Sequence, residues 1–203
     1  SNKIDILTSG DHIWKKREIY ELLDSTDRIL RPANYPPGSP GKGFTVVEFG
    51  GIKVGVINLI GRVFMETVDC PFRGVRQILK DIGKETNVII VDVHAEATSE
   101  KIALGWFLDG KVSAVLGTHT HVQTADEKIL PEGTAYITDV GMTGPFSGVI
   151  GRTKESILER FIAQLPNKFV MAENDVEMHG VILDIDEKTG KATGIKRVQE
   201  KQN

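Results

Sequence analysis

The sequence is short of cysteine, has no excess of positive charge and contains no long hydrophobic run. Cys70 is the single cysteine among 203 residues, which excludes an intramolecular disulfide framework and a zinc site built from cysteines. The 25 Lys and Arg residues do not outnumber the 28 Asp and Glu residues, and the net charge of −3 does not favour a long nucleic acid as partner. No segment is apolar enough to cross a bilayer, and no secretory signal is visible. We therefore expect a cytoplasmic protein without a membrane partner.

The hydrophobic content is sufficient for one folded domain. Apolar residues make up 40% of the chain, and a chain of this length buries roughly 70% of its unfolded surface without disulfides. A proline-dense stretch, residues 31–43, predicts an ordered loop instead of an interdomain linker, because only a short segment precedes it. The first residue is not Met, so we expect that the natural protein begins earlier or that an upstream part is missing here.

Alternating and continuous apolar runs predict an α/β fold. Residues 44–48 and 52–59, joined by Gly50-Gly51, are typical of a β-hairpin. Residues 88–93 form a continuous apolar run, which is typical of a strand covered on both faces. The remaining elements are strands at 4–7, 114–116, 135–137, 176–186 and 194–198, and helices at 15–23, 73–84, 99–108 and 154–164. Strands alternate with helices early and crowd together late, which predicts an α/β sandwich with a mixed sheet.

Four of the five histidines follow predicted strands. Three different strands precede, in turn, His12, His94 and the pair His119 and His121. In open α/β sheets, ligands and catalytic groups gather at the carboxyl ends of strands. On an extended loop, His119 and His121 point the same way, and they therefore present two nitrogens to one metal or to two adjacent metals. His179 lies within a late strand, and we interpret it as a structural or surface residue.

The residues around these histidines resemble motifs of the calcineurin-like metallophosphoesterases. Gly10-Asp11-His12, His94 and Gly117-Thr118-His119-Thr120-His121 are similar, in order and rough spacing, to the later blocks of that family. Longer strings at residues 12–14, 30–34, 94–101 and 138–144 resemble the bacterial YmdB-type subfamily, whose members are described as phosphodiesterases acting on 2′,3′-cyclic nucleotides. The resemblance covers essentially the whole chain. It implies an α/β/β/α sandwich with mixed central sheets, formed by residues 1–203 as one metallophosphoesterase domain that lacks its N-terminal strands.

The resemblance also implies a role for each matched residue. Asp11, His94 and His119 would hold one metal, His121 would bind a second, and His12 would protonate the leaving oxygen. The cofactors would be two divalent transition-metal ions, with Fe, Mn, Zn and Ni all suited to these ligands. Two cations about 3.5–4 Å apart clamp a phosphate and generate a bridging hydroxide near neutral pH. A histidine with a pKa of about 6.5 can supply the proton. Asp11 and His12 are adjacent, and in an extended segment they point to opposite sides, so we expect them not to share an ion.

The sequence departs from the family pattern in three places. The upstream Asp and the bridging acid have no counterpart, which leaves His121 alone at the second metal. Asp11 stands where the pattern has Asn, and its added charge should tighten the metal but make the bridging water less acidic. Ile13 replaces the usual Thr. Two hypotheses therefore stay open: a metal-dependent phosphodiesterase acting on a small phosphodiester or cyclic nucleotide, and a metal-poor relative that binds a nucleotide or a partner protein as a regulator. A homo-oligomer stays open as well.

Four further residues near His94 have alternative interpretations. Thr98 and Ser99 begin a predicted helix, where Ser99 is a simple N-cap or the helix start holds a phosphate oxygen of the substrate. Asp92 either orients a metal-binding histidine or is a hydrogen-bonded structural acid. Glu96 completes a His-x-Glu string that begins a zinc deaminase signature, but the Pro-Cys-x-x-Cys string that completes that signature is missing.

Overall fold

Two β-sheets, a short parallel strand pair and four α-helices make up residues 4–202, which are the residues that the computed structural model describes. The strands are β1 Leu7–Thr8, β2 Ile29–Leu30, β3 Phe44–Phe49, β4 Ile52–Ile60, β5 Val88–His94, β6 Ala114–Thr118, β7 Lys128–Ile129, β8 Ala135–Ile137, β9 Thr143–Pro145, β10 Val176–Ile185 and β11 Ala192–Lys201. The helices are a 3-10 turn at Ile13–Lys15, α1 Ile19–Ser25, α2 Pro71–Ile82, α3 Thr98–Leu108 and α4 Lys154–Ala163.

The larger sheet is mixed and has the order β3-β4-β5-β6-β8-β7. Its four central strands, β4, β5, β6 and β8, are parallel, whereas the edge strands β3 and β7 are antiparallel to their neighbours. The smaller sheet is antiparallel, with β10 between β11 and β9. Strands β1 and β2 pair separately in parallel.

Both faces of the larger sheet are covered, because successive side chains of a strand point to opposite sides. Ile89, Val91 and Val93 of β5 belong to a core cluster that includes Val75 and Ile82 of α2 and Leu104 and Leu108 of α3. Ile90 of β5 instead packs with Ala114, Ala135 and a group of side chains from the smaller sheet: Leu183, Ile185, Ala192 and Ile195. Helices therefore cover one face and the second sheet covers the other, which confirms the expected α/β sandwich with a mixed central sheet.

Most of the predicted elements are present within a few residues of their expected bounds. The hairpin of β3 and β4, the buried strand β5 and the helices α2, α3 and α4 are confirmed. Strand β11 continues past the predicted end at residue 198, because backbone pairing with β10 does not require apolar side chains. Within residues 4–202, no helix combines the length and the apolarity that a membrane crossing needs.

The N-terminal predictions are wrong in detail. The strand expected at residues 4–7 is only Leu7–Thr8, and the helix expected at residues 15–23 is divided between the 3-10 turn and α1. The residue before α1 is Glu18, and it makes no side-chain capping bond. The 3-10 turn lies between Asp11 and α1, and the Asp11 carboxylate contacts His94 and His12.

Candidate metal site

Asp11, His94 and His119 meet at the carboxyl end of the larger sheet. His94 is the last residue of β5 and pairs in register with Thr118, the last residue of β6. His119 follows directly, and Asp11 lies in the turn after β1. One ligand atom from each of Asp11, His94 and His119 lies within 4.8 Å of the other two. The predicted positions at strand ends therefore bring together three residues that are far apart in the sequence.

The three ligand atoms have the separations that one metal ion requires. His94 Nε2 lies 3.1 Å from Asp11 Oδ1 and 3.1 Å from His119 Nδ1. His119 Nδ1 and Asp11 Oδ1 are 3.9 Å apart. Nitrogen and oxygen ligands that bind one divalent ion at about 2.0–2.2 Å lie roughly 3 Å apart around it. A carboxylate with two imidazoles also suits a divalent transition metal, so these residues fit such an ion.

A chain of hydrogen bonds sets which nitrogen of His94 faces this group. Thr118 donates its hydroxyl proton to Asp92 Oδ1 at 2.8 Å, and its oxygen lies 3.1 Å from His94 Nδ1. With that proton donated, the Thr118 oxygen can accept from His94 Nδ1–H, which leaves the Nε2 lone pair for a metal. Asp92 thus acts on His94 through Thr118, and this contact accounts for an acid within an apolar strand.

Burial and neighbouring charges shift the pKa values of the acids and bases of the site. Burial raises the pKa of Asp92 to about 6, against hydrogen bonds from Thr8 and Thr118 that lower it. Burial also lowers the pKa of His94, so the imidazole stays neutral at pH 7 and can bind a metal. For Asp11, burial acts to raise the pKa, but the hydrogen bond to His94 and the charges of three histidines outweigh it and lower the pKa below its usual value.

Glu96 contacts His119 much as Thr118 contacts His94, at the ring nitrogen that does not face the other proposed ligands. Its Oε2 lies 3.1 Å from His119 Nε2, so the carboxylate can accept a hydrogen bond from Nε2–H, which leaves Nδ1 as the free ligand atom. An outer carboxylate of this kind fixes the tautomer and the ring orientation of a ligating histidine. The sequence alone associated Glu96 only with a different enzyme signature, because its partner His119 lies on another strand.

A buried ion pair anchors the loop that carries His119 and His121. Lys101 Nζ lies 3.0 Å from Asp139 Oδ2, and both side chains are fully buried. Asp139 Oδ2 also accepts hydrogen bonds from the backbone N–H and the hydroxyl of Thr120, and Asp139 Oδ1 accepts from the backbone N–H of Gly141. Thr120 is thereby fixed between the two histidines. No local sequence pattern indicated the pairing of Lys101 with Asp139.

The loop itself is not extended, so the expectation that period-two alternation aligns its histidines is wrong. His119 has φ of 96° and His121 has φ of 66°, a region that non-glycine residues rarely adopt and that is concentrated at functional sites. His119 joins Asp11 and His94, whereas the group of three ligands found within residues 4–202 does not include His121. His121 is exposed and borders a separate cavity together with Met142.

His12 lies beside the group of three ligands without belonging to it. Its Nδ1 is 3.3 Å from Asp11 Oδ2, and its side chain is 68% exposed. The residue has φ of −88° and ψ of 2°, in a turn before the 3-10 helix, so the expectation of an extended segment is wrong. His12 and His94 contact different oxygens of the same carboxylate: Asp11 Oδ1 faces His94, and Asp11 Oδ2 faces His12.

The expected N-cap at Ser99 is also wrong. Helix α3 begins at Thr98, its N-cap position is Ala97, and no side chain caps it. Thr98 and Ser99 are exposed, and their backbone N–H groups belong to the first turn, where a helix has no internal acceptors. His179 is not a surface residue: its side chain is 7% exposed and contacts Glu177.

A carboxylate and two imidazoles lie at the strand ends of a mixed sheet that is covered by helices on one face and by a second, antiparallel sheet on the other. This fold and site define the chain as a metallophosphoesterase-type enzyme. Comparison with known proteins agrees. The chain belongs to the YmdB-like family, whose model matches residues 1–198.

The relatives of the chain include proteins that are named as a phosphodiesterase and as a phosphatase. It is 52% identical over 194 residues to the 2′,3′-cyclic-nucleotide 2′-phosphodiesterase of Bacillus subtilis (strain 168), an alignment that covers 96% of this chain and 74% of that protein. A crystal structure of a hypothetical protein from Thermus thermophilus superposes with a TM-score of 0.93 at 42% identity, covering 99% of this chain and 78% of that one. A phosphatase structure from Mycoplasma pneumoniae has a TM-score of 0.89 at 32% identity, covering 97% and 72%.

Proposed function

We propose that the chain is a metal-dependent phosphodiesterase that hydrolyses 2′,3′-cyclic nucleotides. The observation that carries this proposal is the convergence of Asp11, His94 and His119, with ligand atoms 3.1–3.9 Å apart. The Bacillus subtilis relative, which is named for that activity, supports the choice of substrate.

Asp11 Oδ1, His94 Nε2 and His119 Nδ1 would hold one divalent ion, and His121 would contribute to a second. Fe, Mn, Zn and Ni all accept such ligands. When bound, such ions supply positive charge that stabilises the phosphate oxygens in the transition state and acidify water at neutral pH. The protein supplies the arrangement: Thr118 and Glu96 hold the two rings so that one lone pair of each faces Asp11.

His12 is assigned as the proton donor to the leaving oxygen. Hydrolysis of a cyclic diester breaks one bond between phosphorus and a ribose oxygen, and that oxygen must take up a proton. The Nδ1 of His12 is held by Asp11, while the exposed ring can present its Nε2 to a bound substrate. A positioned acid of this kind contributes about 10²–10⁴-fold to the rate.

Thr98 and Ser99 are assigned to the substrate phosphate. Both lie in the first turn of α3, where backbone N–H groups and the helix dipole favour an anion. Helix α3 follows β5 by three residues, so its N-terminus begins close to His94 in the sequence. The short separation between His94 and Thr98 in the sequence supports this assignment.

The test compares His12→Ala and His119→Ala on two diesters. With a 2′,3′-cyclic nucleotide, His12→Ala should keep its metal content and lose about 10²–10⁴-fold in turnover. With a nitrophenyl diester the loss should shrink, because a nitrophenolate leaves without a proton. His119→Ala should lose metal and activity together for both substrates. Loss of metal from His12→Ala, or equal rate losses on both substrates, would overturn the assignment of His12.

The alternative is a metal-poor relative that binds a nucleotide or a partner protein as a regulator. It is favoured by the position of His121 outside the group of three ligands found within residues 4–202. The same experiment separates the two functions. A regulator would bind the cyclic nucleotide without turnover whatever divalent ion is added, whereas an enzyme would hydrolyse it.

A further inference from the structure

A cavity of about 320 Å³ lies directly beside His121. One wall comes from the loop after β6, and the others come from residues 142–150 and from strands β10 and β11. Met142, Phe146 and Ile150 make much of its lining apolar. Ile150 is 50% exposed at the edge of the cavity, and Val122, next to His121, is 62% exposed. This apolar cavity is therefore distinct in character from the polar group of proposed metal ligands, of which His119 is two residues before His121 in the sequence.

Phe146 and His179 form an aromatic surface within this cavity. Their ring centroids are 4.4 Å apart with an angle of 42° between the rings. The His179 side chain is 7% exposed, and its Nε2 is 3.1 Å from Glu177 Oε2, so the ring is fixed in place. Its Nδ1 has no hydrogen-bond partner among residues 4–202. The two rings already touch, so a flat ligand packs against the outer side of the pair and not between them.

Polar groups at the edge of the cavity come from two glutamines. Gln123 donates its amide protons to the carbonyl oxygens of Val140 and Gly180, and its Oε1 accepts from Gln199 Nε2 at 3.0 Å. Gln123 is therefore engaged in holding the wall. Gln199 is exposed and oriented by Gln123, so its own carbonyl oxygen is a suitable acceptor for an N–H group of a ligand.

We propose that this cavity binds the nucleobase of the nucleotide substrate; the inference rests on the proposed phosphodiesterase function. His121 borders the cavity and also lies close to the proposed metal site, because His119 and His121 are separated by at most about 7 Å of chain. Apolar and aromatic walls with a few polar groups are typical of small-molecule sites, which occupy about 300–1,000 Å³. A cavity of about 320 Å³ accommodates a single base with part of its sugar, and is too small for an oligonucleotide.

The proposal is tested with two diesters that share the reacting group. One is adenosine 2′,3′-cyclic phosphate, and the other is 1-O-methylribose 2′,3′-cyclic phosphate, which has no base. We expect the unchanged protein to prefer the nucleotide in kcat/KM. Phe146→Leu keeps apolar volume but removes the ring, and it should reduce this preference by about 5- to 150-fold, the range for loss of base stacking on an aromatic side chain. The matched control is Phe161→Ala, because Phe161 is 73% exposed on α4 and does not line the cavity.

A second measurement does not depend on turnover. Binding of adenosine to the metal-free protein, measured by equilibrium dialysis, should weaken in Phe146→Leu and stay unchanged in Phe161→Ala. The base site is overturned if the unchanged protein shows no preference between the two diesters, or if Phe146→Leu keeps the full preference. If neither diester is hydrolysed, the phosphodiesterase function fails, and adenosine binding alone then decides the base site. Equal adenosine affinities in the unchanged protein and in Phe146→Leu would reject the base site.

Discussion

The ring of His94 lies against the α-carbon of Gly10. A β-carbon added at Gly10 would be 2.1 Å from His94 Nε2 and 2.4 Å from its neighbouring ring carbons, which is far inside any allowed contact. Only glycine therefore permits the chain before Asp11 to pass beside this ring. The relationship explains why a glycine precedes Asp11: it allows the carboxylate and the imidazole to approach to 3.1 Å.

Replacement of Gly10 should consequently damage the metal site more than the fold. In Gly10→Ala the His94 ring must move, and we expect the affinity for a divalent ion to fall about 10- to 100-fold, as for other changes that misorient a ligand. Calorimetric titration of the metal-free protein measures the affinity. The control is Gly74→Ala in α2, whose β-carbon would meet Asn34 at an ordinary 3.7 Å. Wild-type affinity in Gly10→Ala would show that His94 is not a ligand in this position.

Glu96 should matter for metal binding although it is not in the group of ligands. Glu96→Ala removes the acceptor for His119 Nε2–H and should lower metal affinity about 10-fold or more. Glu96→Gln keeps a carbonyl acceptor and should retain most of the affinity. The control is Glu85→Ala at another exposed acid. If Glu96→Ala binds the metal with the affinity of the unchanged protein, Glu96 does not orient His119.

The buried pair of Lys101 and Asp139 should contribute mainly to stability. Lys101→Met leaves the Asp139 carboxylate buried without its counter-charge, which should reduce the free energy of unfolding by about 3–5 kcal/mol. The double variant Lys101→Met with Asp139→Asn removes both charges and should recover part of that loss. Lys84→Met breaks an exposed pair with Asp81, and should change stability little. Urea denaturation measures all three variants. A loss below about 1 kcal/mol in Lys101→Met would contradict the anchoring role.

The sequence predicted the elements of the fold better than the geometry of its loops. Apolar runs such as residues 88–93 are decided by burial on both faces, and β5 forms there as expected. The position of His94 and His119 at strand ends also follows from the parallel pairing of β5 with β6. The histidine loop was mispredicted because Asp139 and Lys101, distant in sequence, hold it in a conformation with positive φ.

The same limitation applies to residues that act through others. Glu96 and Thr118 each contact a histidine of a different strand end, and no spacing in the sequence brings those pairs together. The Phe146 and His179 pair is similar, since it joins the segment after β9 to β10. Contacts across elements depend on strand order and register, which a single sequence does not specify.

The central claim is that Asp11, His94 and His119 together bind a divalent ion, and calorimetric titration of Mn²⁺ into the metal-free protein tests it most directly. His12→Ala is the matched control, because His12 touches the same carboxylate but faces its other oxygen. We predict that His12→Ala binds Mn²⁺ as the unchanged protein does. His94→Ala and His119→Ala should lose more than about 100-fold in affinity, since even loss of a residue that only orients a ligand costs about 10- to 100-fold. Unchanged Mn²⁺ affinity in His119→Ala, or an equal loss in His12→Ala, would contradict the account.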